Sequence, residues 1–197
     1  MLYSPRHYIA IIALAALLTS CMPGASAADE KLNAKRDLIV FVGKRLSVTR
    51  PEPTPPPKGF ILLDEEFKAR YQVLHVVFGS YKPREIAFTV YDHYGEPPFA
   101  HYATVLMFVA RYKGKFYHEK YQFFPVYPTA NGRWASCGNP DQSEGSYHHR
   151  KLKPVPIKFA GRVVDEATKR PCTEGNYVED LLRMKQSGVL KSRGWVF

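Results

Sequence analysis

Residues 104–124 read TVLMFVARYKGKFYHEKYQFF and contain the clearest structural signal in the chain. Two apolar and aromatic runs, Thr104–Tyr112 and Phe116–Phe124, flank Lys113-Gly114-Lys115, which is typical of a three-residue hairpin loop with a central glycine. Pro125 then indicates an edge position or a bulge, because proline cannot donate a ladder hydrogen bond. The stretch therefore predicts an antiparallel β-hairpin.

The segments around this hairpin continue the pattern of short strands. Apolar and polar residues alternate from Phe67 to Val73, as expected of a half-buried strand, and the run then becomes apolar on both faces. Asn131-Gly132 is the pair preferred by type I′ turns, so we expect Phe123–Thr129 to pair with Arg133–Cys137. Further strands are predicted at Leu38–Val48, Phe67–Phe78, Ile86–Tyr91 and Ile157–Val164.

One helix is predicted in the domain, near the C-terminus. Asn176 can act as its N-cap, acidic residues fill the first turn, and Gly188 ends it. Its buried stripe consists of Val178, Leu181 and Leu182. The predicted fold class is therefore mainly β (α+β): an antiparallel meander sheet with β-hairpins and one C-terminal helix packed on it.

The N-terminus carries an export signal. Arg6-His7 forms a short positive region before eleven apolar residues at 8–18, too few to cross a hydrocarbon core of ~30 Å. Residues 18–21, LTSC, resemble the lipobox of bacterial lipoprotein signal peptides, in which the cysteine is acylated. The resemblance implies that Cys21 is a lipid anchor. Met22, where an Asp would signal inner-membrane retention, favours the outer membrane, facing the periplasm.

This interpretation sets the predicted domain organisation. Residues 1–20 are a signal helix, 21–36 a flexible tether, and 37–197 one β-rich domain with a proline-rich connector at 51–58. An alternative stays open, because Ala25-Ser26-Ala27 is also a cleavage site for ordinary signal peptidase. Cleavage near Ala27 would give a soluble periplasmic or secreted protein.

Two cysteines remain once Cys21 is assigned to lipidation. In an oxidising envelope, Cys137 and Cys172 are expected to form a disulfide. A free reactive thiol is the alternative, but the residues beside Cys137 in the sequence supply no base to activate it.

The chain is strongly basic. Its formal charge is +10, and it becomes +9 after residues 1–20, which contain one arginine and no acid. Export makes nucleic acid a poor partner, so we expect the membrane itself, an anionic envelope component or a protein. A charge that serves only solubility is equally compatible with the composition.

The candidate site lies in the loop from Tyr91 to Tyr102, which lies between two predicted strands. The spacing of its histidines matches no metal motif, and the chain contains no catalytic motif. We therefore assign no metal, cofactor or catalytic residue, and we predict a binding or accessory module, such as an inhibitor or immunity-like protein. An envelope assembly component and a hydrolase that uses the Asp92–His101 loop are the alternatives. The candidate binding residues are Asp92, His93, Tyr94, His101, Tyr102 and Tyr117.

Overall fold

The computed structural model describes residues 37–52, 55–56, 58–59, 61–138, 152–165 and 168–197. The predicted signal helix and tether lie outside these residues. The core of the domain is built by five long strands: β1 (Leu38–Thr49), β2 (Glu65–Phe78), β3 (Glu85–Asp92), β4 (Thr104–Tyr112) and β5 (Lys115–Pro125). A 3₁₀ turn, Pro98–His101, connects β3 to β4.

These strands form a closed barrel in the order β1-β2-β3-β5-β4, with β4 pairing back onto β1. The mainly β class is confirmed, but the expected meander is wrong, because β3 and β5 pair in parallel and β4 lies on the far side of β5. Closure leaves no unpaired sheet edge in the barrel. Five-stranded Greek-key barrels include the OB fold, yet an architecture of this kind hosts many functions, so function has to be argued from the site.

The first half of β1, residues 38–43, is buried on both faces and separates two hydrophobic cores. Ile39 and Phe41 point into the barrel interior, whereas Leu38, Val40 and Val42 point outward into a second core. The alternation of faces along β1 is the one that the sequence predicts. Helix α1 (Val178–Ser187) packs on the second core through Val178, Leu181 and Leu182.

The C-terminal third departs from prediction in two places. Ile157–Val164 is not a continuous strand, because the structure shows only β8 (Val155–Pro156) and isolated bridges at Phe159 and Val164. The N-cap of α1 is Tyr177 instead of Asn176, whose backbone N–H is held by the Ser136 hydroxyl. The remaining elements are β6 (Tyr127–Pro128), β7 (Trp134–Ala135), β9 (Glu174–Gly175) and α2 (Val189–Ser192).

Each of the two predicted turns has the loop length that was predicted for the other. Tyr112 pairs with Lys115, so the β4–β5 loop is the two residues Lys113-Gly114, both with positive φ, as a type I′ turn requires. At Asn131-Gly132, Thr129 donates its N–H to the Arg133 carbonyl at 2.8 Å, which leaves a three-residue loop in which only Gly132 has positive φ. Both segments are hairpins, but their loop lengths differ from prediction. The expected pairing of Phe123–Thr129 with Arg133–Cys137 is found only between 127–129 and 133–135, because Phe123, Phe124 and Pro125 pair with β4 instead.

The two cysteines of the domain lie together outside the barrel. The Sγ atoms of Cys137 and Cys172 are at disulfide distance, and their Cα atoms are 5.8 Å apart, within the range that a bridge needs. The pair joins the segment after β7 to the segment before β9. Backbone hydrogen bonds tie the same two segments, from Gly138 N–H to the Glu174 carbonyl and from Ser136 N–H to the Asn176 carbonyl, each at 2.9 Å.

Candidate functional site

The parallel pairing of β3 and β5 brings tyrosines together on the outside of the barrel. Thr89 is opposite Tyr117, and the Tyr91 and Tyr117 rings stack with centroids 6.4 Å apart and an interplanar angle of 16°. Tyr91 is 43% exposed, and its hydroxyl lies 3.4 Å from a Glu66 carboxylate oxygen. Two strands that are separated in sequence by β4 thus present a stacked pair of tyrosines.

A large bulge in β5 follows Tyr117. Met107 is opposite Phe123 and Val109 is opposite His118, so the four residues Glu119–Gln122 face a single residue of β4. Within this bulge Tyr121 has φ of +64°, and its ring lies 6.2 Å from that of Tyr94. We call Tyr91, Tyr94, Tyr117 and Tyr121 the tyrosine surface.

The bulge is held by several hydrogen bonds. The His118 Nε2 atom lies 3.0 Å from the Gln122 carbonyl, and the Gln122 amide donates to the Lys120 carbonyl at 3.2 Å. Arg193 donates to the Glu119 carboxylate at 2.6 Å and to the Lys120 carbonyl at 3.0 Å. A non-glycine residue at positive φ persists only where its surroundings determine it, and such residues concentrate at functional sites.

The segment before β2 lies beside the tyrosine surface and is anchored to it. Lys120 donates to the Asp64 carboxylate at 2.7 Å, and the His93 Nδ1 atom lies 2.6 Å from the Leu63 carbonyl. These contacts hold three consecutive aliphatic side chains in solvent: Ile61 is 85% exposed, Leu62 64% and Leu63 71%. Next to them, Tyr94 is also 85% exposed. The His93 ring, which lies between the Leu63 carbonyl and the Tyr94 ring, connects the aliphatic segment to the aromatic one.

Charges around the tyrosine surface are balanced. Lys68 pairs with Glu66, Arg70 with Glu85 at 2.8 Å, and Lys120 with Asp64. All these side chains are at least one-third exposed, so the pairs contribute little to stability. Because these charges are paired, this face carries no large excess of positive or negative charge, although the chain as a whole is basic.

Of the six predicted binding residues, the structure brings His93 and Tyr94 into contact and places Tyr117 against Tyr91. The His93 and Tyr94 rings meet edge to face at 5.2 Å. Asp92 is only 4% exposed, and its carboxylate accepts the Tyr94 backbone N–H at 2.9 Å, which makes it a positioning residue for this turn.

The other two predicted residues lie at the 3₁₀ turn. Tyr102 is partly buried, and its ring lies 6.2 Å from that of Phe123, against the interior core. His101 is exposed at the end of the 3₁₀ turn. Tyr102 and His101 are therefore not members of the tyrosine surface.

Sequence reasoning missed Tyr91, Tyr121, Lys120 and Asp64 as members of this site. The strong alternation in 117–121 indicated a regular strand, in which Lys120 and Tyr121 would point to opposite faces. The bulge removes that restriction. The exposed run Ile61–Leu63 was the available signal, because three consecutive aliphatic residues after a proline-rich segment fit neither a strand face nor a solvated loop.

The site offers aromatic faces, phenolic hydroxyls and aliphatic contacts. Within the described ranges, no group of three or more His, Cys, Asp or Glu side chains is placed to hold a metal ion. Tyrosine combines a large apolar ring with a polar tip at low conformational cost, and it is enriched at protein interfaces. The arrangement is therefore suited to binding a partner.

His118 lies under the bulge between aromatic rings. Its ring centroid is 4.9 Å from that of Phe99 and 6.4 Å from that of Phe88. Burial lowers the pKa of His118 to about 4, against the opposing effect of the Gln122 carbonyl, and nearby Arg193 adds to the lowering. The imidazole is therefore neutral in the folded protein at neutral pH.

This depressed pKa predicts a loss of stability in mild acid. The unfolded chain binds a proton at His118 near pH 6.5 and the folded chain only near pH 4, so folding stability falls as the pH drops through this window. We expect a decrease of about 2 kcal/mol between pH 7 and pH 5 from this group, measured by urea unfolding. His118→Gln should remove that decrease. His101→Gln, at an exposed histidine, should leave it intact, and an unchanged pH profile for His118→Gln would contradict the assignment.

Comparisons with known proteins give no relative for this chain. No family model, no curated protein and no solved structure matches it. In the part of the chain that the structure describes, no helix has the length and apolar character to cross a membrane.

Proposed function

We propose that this protein is an exported envelope lipoprotein whose barrel binds a partner protein through the tyrosine surface. The observation that carries the proposal is the exposure of Tyr91, Tyr94 and the Ile61–Leu63 segment, with the His93 ring in contact with both the Leu63 carbonyl and the Tyr94 ring. Isolated exposed apolar residues are ordinary, whereas a contiguous patch with a polar rim marks an interaction site.

The composition of the patch favours a protein over other partners. Three aliphatic side chains offer little to a nucleic acid or to a small anion, and the paired charges of Lys68 and Lys120 leave no positive groove for a phosphate backbone. Aromatic and aliphatic groups at the centre with ion pairs at the edge match the anatomy of protein interfaces. An inhibitor, an immunity-like protein and an accessory subunit all act through such a surface.

A hydrolytic role for the Asp92–His101 loop is less well supported. The Asp92 carboxylate is buried and engaged by the Tyr94 backbone, so it is poorly placed to act on a substrate in solution. His93 is engaged with the Leu63 carbonyl and lies 3.7 Å from Asp64. Both groups shape the loop that presents Tyr94. The surface also suits an assembly component of the envelope, which would use the same contacts.

The anchor belongs to the same proposal. Acylation of Cys21 would attach the chain to the periplasmic face of the outer membrane, and the segment 22–36 would separate the barrel from the lipid. Two or more acyl chains hold a protein stably where one does not. The partner is then an envelope protein within reach of that tether.

Site-specific photo-crosslinking in the native host tests this function. A photoreactive phenylalanine analogue in place of Tyr94 should capture one discrete envelope protein, identified by mass spectrometry. Tyr94→Ala should weaken binding of the purified partner by about 30-fold, as expected of a central interface residue. In the same cells, Cys21→Ala should shift the protein out of the membrane fraction.

Tyr112 supplies the matched control. It is 53% exposed and lies at the β4–β5 turn, outside the four residues of the tyrosine surface, although it lines a cleft with Glu119 of the bulge. The same analogue at position 112 should not capture the Tyr94 partner, and Tyr112→Ala should bind it normally. Capture of no protein at position 94, or equal weakening by both alanine variants, would refute the proposed surface.

A further inference from the structure

One end of the barrel gathers the turns that carry unpaired positive charge. Because β3 and β5 run parallel, their starting residues lie at the same end, and the Tyr81 and Phe116 rings meet there at 5.6 Å. The β2–β3 turn and the Lys113-Gly114 turn are therefore neighbours. Their exposed cations, which we call the basic end, are Lys82, Arg84, Lys113 and Lys115.

The acidic groups at this end are few and mostly engaged. Asp37 pairs with Arg111 at 3.0 Å, and Glu85 pairs with Arg70 at 2.8 Å. Glu119, which lines a cleft with Tyr112 and Trp195, pairs with Arg193 at 2.6 Å. The C-terminal carboxylate of Phe197 is also near, since the Phe197 ring lies 5.6 Å from Phe78. Among the described residues none of the four cations of the basic end has an ion-pair partner, although Lys113 lies over the Tyr112 ring at 5.3 Å. The end is therefore net positive.

Exposed apolar groups accompany these cations. Tyr112 is 53% exposed, Val196 65% and Phe197 50%. Trp195 lies beside Ala110, Arg111 and Tyr112 at the end of β4. Lysine and arginine together with aromatic side chains are the composition that favours the interface between water and a lipid bilayer.

The chain enters the barrel at this same end. Leu38, the first residue of β1, is opposite Ala110, only two residues before Tyr112. Lys35 and Arg36 directly precede Asp37 in the sequence. The segment that leads back to Cys21 therefore leaves the domain from the basic end.

We propose that the basic end is a membrane-facing surface that rests on anionic lipid headgroups. The inference extends the proposed function, because it assumes that the domain works beside a bilayer, but it uses none of the residues of the tyrosine surface. Each lysine or arginine close to an anionic bilayer strengthens its attachment. An anionic bilayer fits better than an acidic protein because the entry of the tether and the exposed aromatic groups coincide with the charge.

This orientation would leave the partner site accessible. The tyrosine surface lies along the side of the barrel, from the β5 bulge, whose Glu119 lines a cleft with Tyr112 and Trp195, to Tyr94, which follows the far end of β3. A domain that rests on its basic end presents this side to the periplasm.

The two tryptophans of the chain allow a direct test with the full-length protein. Trp195 lies at the basic end, whereas Trp134 in β7 follows the far end of β5. Full-length Trp134→Phe and Trp195→Phe proteins, each with one tryptophan, are reconstituted with vesicles that contain a headgroup spin-label quencher. Vesicles of phosphatidylcholine alone are compared with vesicles containing phosphatidylglycerol.

We expect the quenching of Trp195 to rise about twofold or more on anionic vesicles, with that of Trp134 unchanged. The rise should vanish at 1 M salt, where the screening length is about 3 Å, and in the Lys82→Gln/Arg84→Gln/Lys113→Gln/Lys115→Gln variant. The matched variant removes four exposed cations elsewhere: Lys158→Gln, Arg162→Gln, Lys169→Gln and Arg170→Gln.

The matched variant should keep the rise. Equal quenching of the two tryptophans, or equal loss in the two fourfold variants, would overturn the assignment of the basic end. Circular dichroism of both variants establishes that they are folded. Failure here would leave the photo-crosslinking result at Tyr94 unaffected, so the two proposals fail separately.

Discussion

Gly175→Ala should destabilise the protein by about 3 kcal/mol or more, although it adds a single methyl group. A Cβ at position 175 would lie 1.9 Å from the Ser136 carbonyl oxygen and 2.9 Å from its carbonyl carbon. Both are backbone atoms, so a side-chain rotation cannot relieve the overlap. Position 175 is buried in β9, between its pairing with Val155 and the hydrogen bonds to 136–138. Urea unfolding of the purified variant measures the effect.

Gly161→Ala is the control for this prediction. A Cβ at position 161 would meet no atom within 4 Å, and its backbone is outside the left-handed region. We expect its free energy of unfolding to stay within about 0.5 kcal/mol of the parent. Equal stability of the two alanine variants would show that β9 does not approach Ser136 as described.

Removal of both domain cysteines should have a comparable effect. In the chain-entropy model, a bridge that closes a loop of 35 residues contributes about 4 kcal/mol, because it restricts the unfolded chain. We expect Cys137→Ser/Cys172→Ser to lose that amount in urea unfolding, and non-reducing peptide mapping of the parent to recover the linked pair. A parent protein whose urea midpoint does not change on reduction would contradict the bridge.

These two effects should not add. Gly175 lies three residues after Cys172, and Ser136 directly precedes Cys137, so both changes act on the contact between the same two segments. Once the cysteines are replaced, β9 can move away from Ser136 more easily. The additional loss caused by Gly175→Ala in the cysteine-free protein should therefore be smaller than its loss in the parent, as is usual for residues in contact.

The local structure of this protein is well predicted from its sequence. The alternation of apolar residues in β1 predicts both its strand and the assignment of Ile39 and Val40 to opposite faces. Gly188 ends α1 as expected. Such signals depend on residues close together in the chain, where spacing alone decides which face a side chain occupies.

Long-range pairing is what the sequence could not supply. A run of strands separated by short turns is equally compatible with a meander and with a barrel closed by parallel β3 and β5. The parallel contact decides that Tyr91 and Tyr117 meet, and the bulge decides that Tyr94 and Tyr121 meet. Because neither the parallel pairing nor the bulge has a signature in the local sequence, only part of the candidate site was predicted.

The burial of the first half of β1 on both faces would have a mechanical consequence for a protein held at its N-terminus. If Cys21 anchors the chain as proposed, tension would reach the barrel at Leu38 and act along β1, which hydrogen-bonds to β2 on one side and to β4 on the other. The load then falls on both ladders in shear, where many hydrogen bonds must break together, instead of opening them one at a time as in a zipper. The strand that receives the pull is thus the one whose extraction would also disrupt both hydrophobic cores.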